Sequence, residues 1–349
     1  MKKHLMVLML VLVMPAVSLA GSYIESVETV SAQVEAGRTA GQLSFRVTEP
    51  GHMEVLVCDL DGYVVRHLFS GKVSSGSRSV SWDGLDDDGK AVANGAYLPV
   101  LRFTSVLGAS EVYDPTSFGW GAKLEVKDIS FQDGSVSYSL PRAALCLLRA
   151  GELPGGPCYK TILQWQPRSA GNHSEAWDGK DAGGVQQVSG LTGLKLVLDA
   201  MALPKGSFLV TGSDARMQRR PSGSEQVPIY PPMGKDIFIH SLHPRWLCRD
   251  PELQVRIVSG LGLFRRIKSG KLVFSVTAKH DRDAYNMERE GCEVYGFVDG
   301  RFMGEIKTSV LPVTYGLDCA RMEPGRHVIT INLRSIEDHV GSWSCVVTK

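Results

Sequence analysis

One short motif, Trp-Asp-Gly followed two residues later by a second Asp, occurs twice in this sequence. The copies begin at Trp82 and Trp177, which are 95 residues apart. Each copy follows a polar run that contains glycine and precedes a turn that contains another glycine. A spacing of this size is the length of a small domain, so the repeat predicts two copies of one domain.

The runs around the first motif have the period of β-strands. Residues 41–47 and 78–82 alternate apolar and polar side chains, and residues 95–103 form a further apolar run. An alternation of period two indicates half-buried strands, and the Asp-Gly pairs between the runs indicate turns. No helical periodicity is evident there. We therefore predict an all-β fold made of tandem antiparallel β-sandwich domains of the Ig-like or fibronectin III-like kind.

The repeated motif itself has a structural interpretation. A Trp can bury a large apolar area at the edge of a sandwich. An Asp carboxylate can accept backbone N–H groups within a turn, and Gly can adopt the positive φ that such turns need. We assign this role to both copies: Trp82, Asp83 and Gly84, and Trp177, Asp178 and Gly179.

A set of residues in the first copy carries a family resemblance: residues 55–66, Gly76, Trp82-Asp83-Gly84, Asp86, Gly89 and Gly95-Ala96-Tyr97. With these residues the copy resembles the FlgD-type Ig-like domain, a family named for the flagellar hook-cap protein and found in many secreted bacterial proteins. Cys58 is a departure, because the family more often has an aromatic residue there. The resemblance implies an Ig-like module, and the signal-peptide pattern described below argues against the hook-cap protein itself.

The second copy is expected to close with residues 206–210, which match the segment beginning at Gly95. On that alignment it carries 16 extra residues between Gly184 and Pro204. Such an insertion can be a binding surface or a merely tolerated loop.

The chain begins with the three-part pattern of a secretory signal peptide: a basic start, an apolar run over residues 5–17, and small residues before Gly21. A retained N-terminal anchor is the alternative. We expect no transmembrane segment after signal cleavage, since no second apolar stretch of about 18 residues follows.

The C-terminal part of the sequence predicts a third sandwich. Two of its turns resemble those of bacterial Ig-like modules of cell-surface proteins, in a looser match than that of the first copy to the FlgD-type domain. The hairpin of the third sandwich turns at Asp299-Gly300, and a Pro-Gly turn precedes the strand from Arg326. The predicted organisation is 1–20 signal peptide, 21–115 FlgD-type domain, 116–212 second FlgD-type domain with insertion, 213–236 linker, and 237–349 C-terminal Ig-like domain.

The seven cysteines are compatible with export, where disulfides are permitted. Their odd number leaves at least one unpaired within the chain. Cys146 and Cys158 are close enough in sequence to bridge a hairpin, although buried free thiols are the competing interpretation.

Oxygen-rich loops of the third domain raise the possibility of Ca²⁺ binding, with solvated turns as the alternative. The candidate ligands are Asp281, Asp283, Asp299 and Asp338. We expect no cofactor and name no catalytic residue.

The balanced charge, 38 Lys and Arg against 37 Asp and Glu, does not favour a nucleic-acid partner. The sequence contains no GxSxG, HExxH or phosphate-binding glycine loop, which lowers the expectation of an enzyme.

We predict a non-catalytic exported protein, periplasmic or at the cell surface of a bacterium. It would act as a scaffold, adhesion or interaction module among envelope or extracellular proteins. The alternative is a carbohydrate- or Ca²⁺-binding accessory protein, and an unfamiliar enzyme comes third.

Overall fold

A computed structural model of the chain describes residues 22–116, 122–152, 155–215, 223–228 and 249–349. The predicted signal peptide and most of the predicted linker lie outside these ranges. The described residues are built from short, mostly antiparallel strands in six sheets, with one α-helix. The predicted all-β fold class is confirmed.

The first sandwich packs a three-stranded sheet against a larger one. Eight strands come from residues 24–113: β1 Ile24–Ser31, β2 Gln33–Glu35, β3 Gly41–Val47, β4 Gly51–Asp59, β5 Val64–Val73, β6 Gly76–Trp82, β7 Gly95–Ser105 and β8 Ser110–Tyr113. One sheet has the order β1-β3-β6. The apolar side chains of β3 and β4 face the core between the sheets, as the alternation predicts.

The second sandwich also packs a three-stranded sheet against a larger one. Its strands are β9 Lys123–Leu124, β10 Ser130–Gln132, β11 Ser135–Leu140, β12 Ala144–Gly151, β13 Cys158–Arg168, β14 Gly171–Ala176 and β15 Lys195–Ala202. The sheets have the orders β10-β11-β14 and β13-β12-β15-β9. The strand that closes this unit is therefore β15, which pairs with β12 along its whole length.

The segment expected to close the second copy belongs instead to the first sandwich. Strand β16, Phe208–Thr211, pairs antiparallel with β7 and parallel with β2. Phe208 is fully buried in the first core, where its ring contacts that of Trp82 at a centroid distance of 5.5 Å. The assignment of residues 206–210 was wrong because β15 already satisfies the free edge of β12. The second sandwich is thus inserted between β8 and β16 of the first.

The described part of the predicted linker is also packed. Residues 223–228, here called the strap, run along the start of β5. Val64 N donates to Glu225 O at 2.9 Å, and Val227 N donates to Gly62 O at 2.9 Å. Val227 is buried on the outer face of the first large sheet. The chain therefore returns to the first unit before it enters the third.

The third sandwich consists of seven strands and one helix: β17 Leu253–Ser259, β18 Lys271–Ala278, α1 Asp281–Glu290, β19 Cys292–Val298, β20 Arg301–Thr308, β21 Val313–Asp318, β22 Arg326–Ser335 and β23 Val340–Thr348. The sheet β17-β18-β21 packs against the sheet β20-β19-β22-β23. Helix α1 connects β18 to β19, at a position where the sequence predicts an acidic loop.

Candidate functional site: the interface between the second and third sandwiches

The first Trp-Asp-Gly turn is held by its own side chains. The indole of Trp82 is buried, and its Nε1 donates to Leu85 O at 2.8 Å. The carboxylate of Asp83 accepts Leu85 N at 3.1 Å. Gly84 has φ +77°, and its carbonyl accepts Val92 N at 3.0 Å. Each residue of the motif therefore contributes one contact that fixes the turn.

The second copy repeats these contacts. Trp177 is buried and donates from Nε1 to Lys180 O at 2.9 Å. Asp178 accepts Lys180 N at 3.0 Å, and this backbone hydrogen bond is the main cause that lowers the pKa of its carboxyl. Gly179 has φ +74°, and its carbonyl accepts Val188 N at 2.8 Å. The motif thus encodes the same local structure twice.

The copies differ at the Asp that follows the turn. Asp86 is half-buried and accepts the backbone N–H groups of Asp88 and Lys90. Its counterpart Asp181 is 1% exposed, and its Oδ2 accepts the hydroxyl of Ser344 in β23 at 2.8 Å. The same hydroxyl accepts Gly183 N at 3.1 Å. Only the second turn contacts another sandwich in this way.

A buried ion pair lies at the centre of this interface. Arg149 of β12 donates from Nε to Asp250 Oδ2 at 2.8 Å and from Nη2 to Asp250 Oδ1, which makes the pair bidentate. Arg149 is 5% exposed and Asp250 is 6% exposed. Arg149 Nη2 also donates to the carbonyl of Asp338 at 2.9 Å. Planar guanidinium and carboxylate groups in this geometry fix both distance and orientation.

The remaining hydrogen-bonding capacity of Asp250 is also used. Thr161 Oγ1 donates to Oδ2 at 2.6 Å, and Val340 N donates to Oδ1 at 2.9 Å. Gln164 Nε2 donates to the Asp250 carbonyl at 2.7 Å. A buried charge is costly unless such partners satisfy it. Asp250 therefore connects β12 and β13 of the second unit to β23 of the third.

A second polar contact joins β13 to β22 and β23. Cys158 N donates to Asn332 Oδ1 at 2.9 Å, and Asn332 Nδ2 donates to Cys158 O at 2.8 Å. Ser342 Oγ donates to the same carbonyl at 2.7 Å. Asn332 thus reproduces, with its side-chain amide, the pairing that an adjacent strand would give. The backbone N–H and C=O of Cys158, at the start of the edge strand β13, are therefore satisfied by side chains of the third unit.

Two pKa values at this interface are raised, for different reasons. Burial opposes the charge of Arg149, but the hydrogen bonds and negative charge of Asp250 outweigh it and raise the pKa of the guanidinium. Burial, followed by the charge of Asp250, raises the pKa of the Cys158 thiol to about 11. Arg149 therefore stays charged and Cys158 stays a thiol at neutral pH.

The disulfide expected between Cys146 and Cys158 is absent, and both are buried free thiols. Cys158 lies opposite Gly151 at one end of β12, whereas Cys146 lies five residues earlier on that strand. At about 3.3 Å per residue, this is too far for a bridge. Cys146 packs in the second core, where burial raises its pKa to about 12. The two cysteines are close in sequence, but the antiparallel pairing of β12 and β13 places Cys146 opposite Gln166 and not opposite Cys158.

The four Ca²⁺ candidates lie in different settings. Asp281 and Asp283 are in the first turn of α1. Asp299 pairs with His327 at 2.6 Å, and this hydrogen bond is the main cause that raises the pKa of the imidazole. Asp338 pairs with Arg334 at 2.6 Å. Across the described ranges, no group of three or more His, Cys, Asp or Glu side chains is arranged to hold a metal ion.

A cleft of about 1420 Å³ lies where the three units meet. Asp61 and Asn94 of the first unit, Gln166 of the second, and Arg282 and Asn286 of the third are among its lining residues. Amide and charged groups thus face this space from all three sandwiches.

Sequence reasoning missed the interface residues. The sequence analysis singles out none of Arg149, Asp250 and Asn332. A usable signal was present, since Arg149 is the one charge in an otherwise apolar run, Leu145–Ala150. A strand buried on both faces can carry such a charge only if a partner elsewhere satisfies it.

Comparison with known proteins locates one family match. The family model described as the FlgD Ig-like domain matches residues 29–101. The match lies in the first sandwich and supports the resemblance of that unit. It does not extend to the second copy or to the third unit. No curated protein matches the sequence.

Several solved structures show a weak likeness. The fibronectin(III)-like modules of Clostridium thermocellum CbhA are 10% identical with a TM-score of 0.20, and 93% of each chain is covered. The E. coli chaperone DraB is 10% identical with a TM-score of 0.21, covering 53% of this chain and 97% of the other. A Ca²⁺-stabilized, ice-binding adhesin of an Antarctic bacterium is 12% identical with a TM-score of 0.19, covering 93% and 73%. These scores are too low to add to what the sheets already show.

One further observation concerns membranes. None of the helices within the described ranges is long and apolar enough to cross a bilayer.

Proposed function

We propose that the chain is a non-catalytic exported protein that acts as a scaffold or adhesion module in a bacterial envelope or extracellular assembly. The observation that carries this proposal is the interface around Asp250. It joins the second and third sandwiches through a bidentate ion pair and the Asn332 contacts. A fixed relation between two sandwiches suits a spacer that presents its end loops to partners.

The second sandwich is proposed to be a further FlgD-type module, on the basis of its identical turn contacts at Trp177, Asp178 and Gly179. The third is proposed to be a bacterial Ig-like module. Export is proposed from the pattern of residues 1–20, which lie outside the described ranges.

The absence of catalysis is part of the proposal, and the chemistry of the buried thiols supports it. Burial raises the pKa of the thiols of Cys292 and Cys345 to about 11, as it does for Cys146 and Cys158. Nucleophilic cysteines instead have lowered pKa values in electropositive, accessible surroundings. At the interface, Arg149, Asp250 and Asn332 are engaged in hydrogen bonds within the protein.

The test is affinity capture from envelope extracts of a bacterium that encodes the chain. The wild-type chain is compared with Asp250→Ala, which leaves Arg149 buried without its partner. We expect the wild type to retain a discrete partner that the variant retains less well. Recovery of no partner by the wild type would contradict a scaffold role, and equal recovery by both would contradict a role for the fixed interface.

A carbohydrate-binding accessory role is the second candidate, and the cleft between the three units favours it. Its amide and charged lining has the hydrogen-bonding groups that a sugar requires. Calorimetric titration with oligosaccharides of the bacterial envelope tests this role. Binding that Asn286→Ala and Gln166→Ala weaken would support it, and no heat of binding would contradict it.

A further inference from the structure

The connection between β17 and β18 forms a projecting loop, residues 260–268, here called the tip loop. Its Leu263 and Phe264 side chains are 79% and 97% exposed. Burying a large apolar side chain is favourable, so two adjacent side chains exposed to water in one loop indicate an interaction site.

The backbone of the tip loop holds these side chains outward. Phe264 and Arg265 have φ values of +56° and +57°. Two consecutive non-glycine residues in the left-handed region cost about 1–2 kcal/mol each. Such strain is retained where the surrounding structure enforces it, and it commonly marks functional segments.

The base of the tip loop supplies that enforcement. Gly262 N donates to Arg266 O at 2.7 Å, and Ile267 N donates to Thr348 O of β23 at 2.8 Å. Leu261 and Ile267 pack against the core of the third sandwich. These contacts hold the base of the tip loop in place, while Leu263 and Phe264 remain exposed.

Cations surround the apolar pair. Arg265, Arg266 and Lys268 are exposed, and none of them forms an ion pair with any residue that the structure describes. The turn that follows β21 is anchored two residues beyond the tip loop, where Cys319 N donates to Gly270 O at 2.7 Å. Arg321 and Glu323 lie in that turn, Asp318 ends β21 just before it, and Lys349, which follows β23, donates from Nζ to Ala320 O. The balance at this end of the molecule is positive.

We propose that the tip loop binds an anionic lipid surface. Phe264 and Leu263 would enter the boundary between headgroups and acyl chains, while Arg265, Arg266 and Lys268 bind lipid phosphates. A protein partner fits less well, because a stable protein interface needs roughly 800 Å² on each side and this convex tip presents two apolar side chains. A bilayer requires no shape complementarity.

The chain offers a matched control. The turn between β7 and β8 exposes Val106 (77%) and Leu107 (91%). No Lys or Arg lies between residues 103 and 122. If exposed apolar side chains alone caused membrane binding, both tips would act alike. If the combination with cations is required, only the tip loop would bind.

The experiment is co-sedimentation of the full chain with vesicles of phosphatidylglycerol or of phosphatidylcholine. We expect preference for phosphatidylglycerol and weakening by high salt. Phe264→Asn should lower the apparent affinity about tenfold, since Asn tolerates the left-handed conformation but cannot insert. Arg265→Glu with Arg266→Glu should lower it by about fivefold or more for each charge. Leu107→Ala should bind as the wild type does.

A site-specific readout removes any contribution from the apolar residues 5–17. In Phe264→Trp, added phosphatidylglycerol vesicles should shift the tryptophan emission to shorter wavelength, whereas Leu107→Trp should show no such added shift. Failure of the wild type to bind, equal binding by Phe264→Asn, or equal shifts at both sites would each overturn the proposal.

Discussion

The first and second sandwiches contain the same turn but differ in what they contact. Trp82 and Trp177 make equivalent hydrogen bonds, at 2.8 and 2.9 Å, and both are buried. The Asp86 carboxylate accepts hydrogen bonds from Asp88 and Lys90 of its own turn, whereas the Asp181 carboxylate reaches Ser344 of the third unit. The comparison shows that the repeated residues specify a module, and that the residues which differ between copies specify its place in the molecule.

A second difference concerns how each sandwich is completed. The second closes with its own strand β15, while the first is closed by β16 from beyond the inserted unit. The family match at residues 29–101 ends before β16. The first sandwich therefore depends on a distant segment, and the second depends on a neighbouring domain.

The largest effect is expected from Asp250→Ala. The change leaves the Arg149 guanidinium buried without its partner, and removing one member of a buried pair costs about 3–5 kcal/mol. Denaturant unfolding followed by circular dichroism measures the loss. Arg149→Met with Asp250→Leu is the control, and it should cost less because no charge remains buried. An equal loss in the double variant would show that the ion pair is not the source.

Phe208→Ala should destabilise the first sandwich by about 3 kcal/mol or more, as expected for a large side chain removed from a core. Hydrogen exchange should become faster in β3 and β6, which face Phe208 across the core, and stay unchanged in β12. Leu198→Ala in β15 is the matched change for the second sandwich. It should make hydrogen exchange faster in β12 and leave exchange in β3 and β6 unchanged. Faster exchange in β12 upon Phe208→Ala would place β16 with the second unit after all.

Gly183→Ala should weaken the docking of the second turn by about 1–3 kcal/mol, because a Cβ at this position would clash with the hydroxyl and backbone of Ser344. Asp88 is the equivalent position in the first copy and is exposed. Asp88→Ala should therefore change the free energy of unfolding by no more than about 0.5 kcal/mol. Similar effects of the two substitutions would contradict the docking of the second turn against Ser344.

The smallest expected effect is the pH dependence of the strap. His67 binds Asp87 at 2.6 Å and Glu225 of the strap at 3.2 Å, and the hydrogen bond to Asp87 is the main cause that raises its pKa. Because the folded pKa lies above the unfolded value, this stabilisation is complete below about pH 6.5 and is lost as pH rises through the folded pKa. Melting temperatures of the wild type and His67→Gln should converge at alkaline pH. A constant difference would exclude the ion pairs as its cause.

The sequence was sufficient for the local structure and insufficient for the long-range contacts. Alternation and Asp-Gly turns predict the sandwich strands, because side-chain period and turn chemistry depend on adjacent residues. Helix α1 was missed because its ten residues are mostly polar and have one buried side chain, Met287. Strand β16 was misassigned because Gly206-Ser207-Phe208 matches a strand start without revealing which sheet it joins. The Arg149–Asp250 pair joins positions 101 residues apart, and no local pattern links them.

The docking of the second and third sandwiches is tested most directly by hydrogen exchange at two equivalent backbone amides. Gly183 N donates to Ser344 of the third unit, whereas Asp88 N donates to Asp86 of its own exposed turn. We expect Gly183 in the wild type to exchange much more slowly than Asp88, and Asp250→Ala to remove that protection. Exchange at Gly183 as fast as at Asp88 in the wild-type chain would contradict the docking.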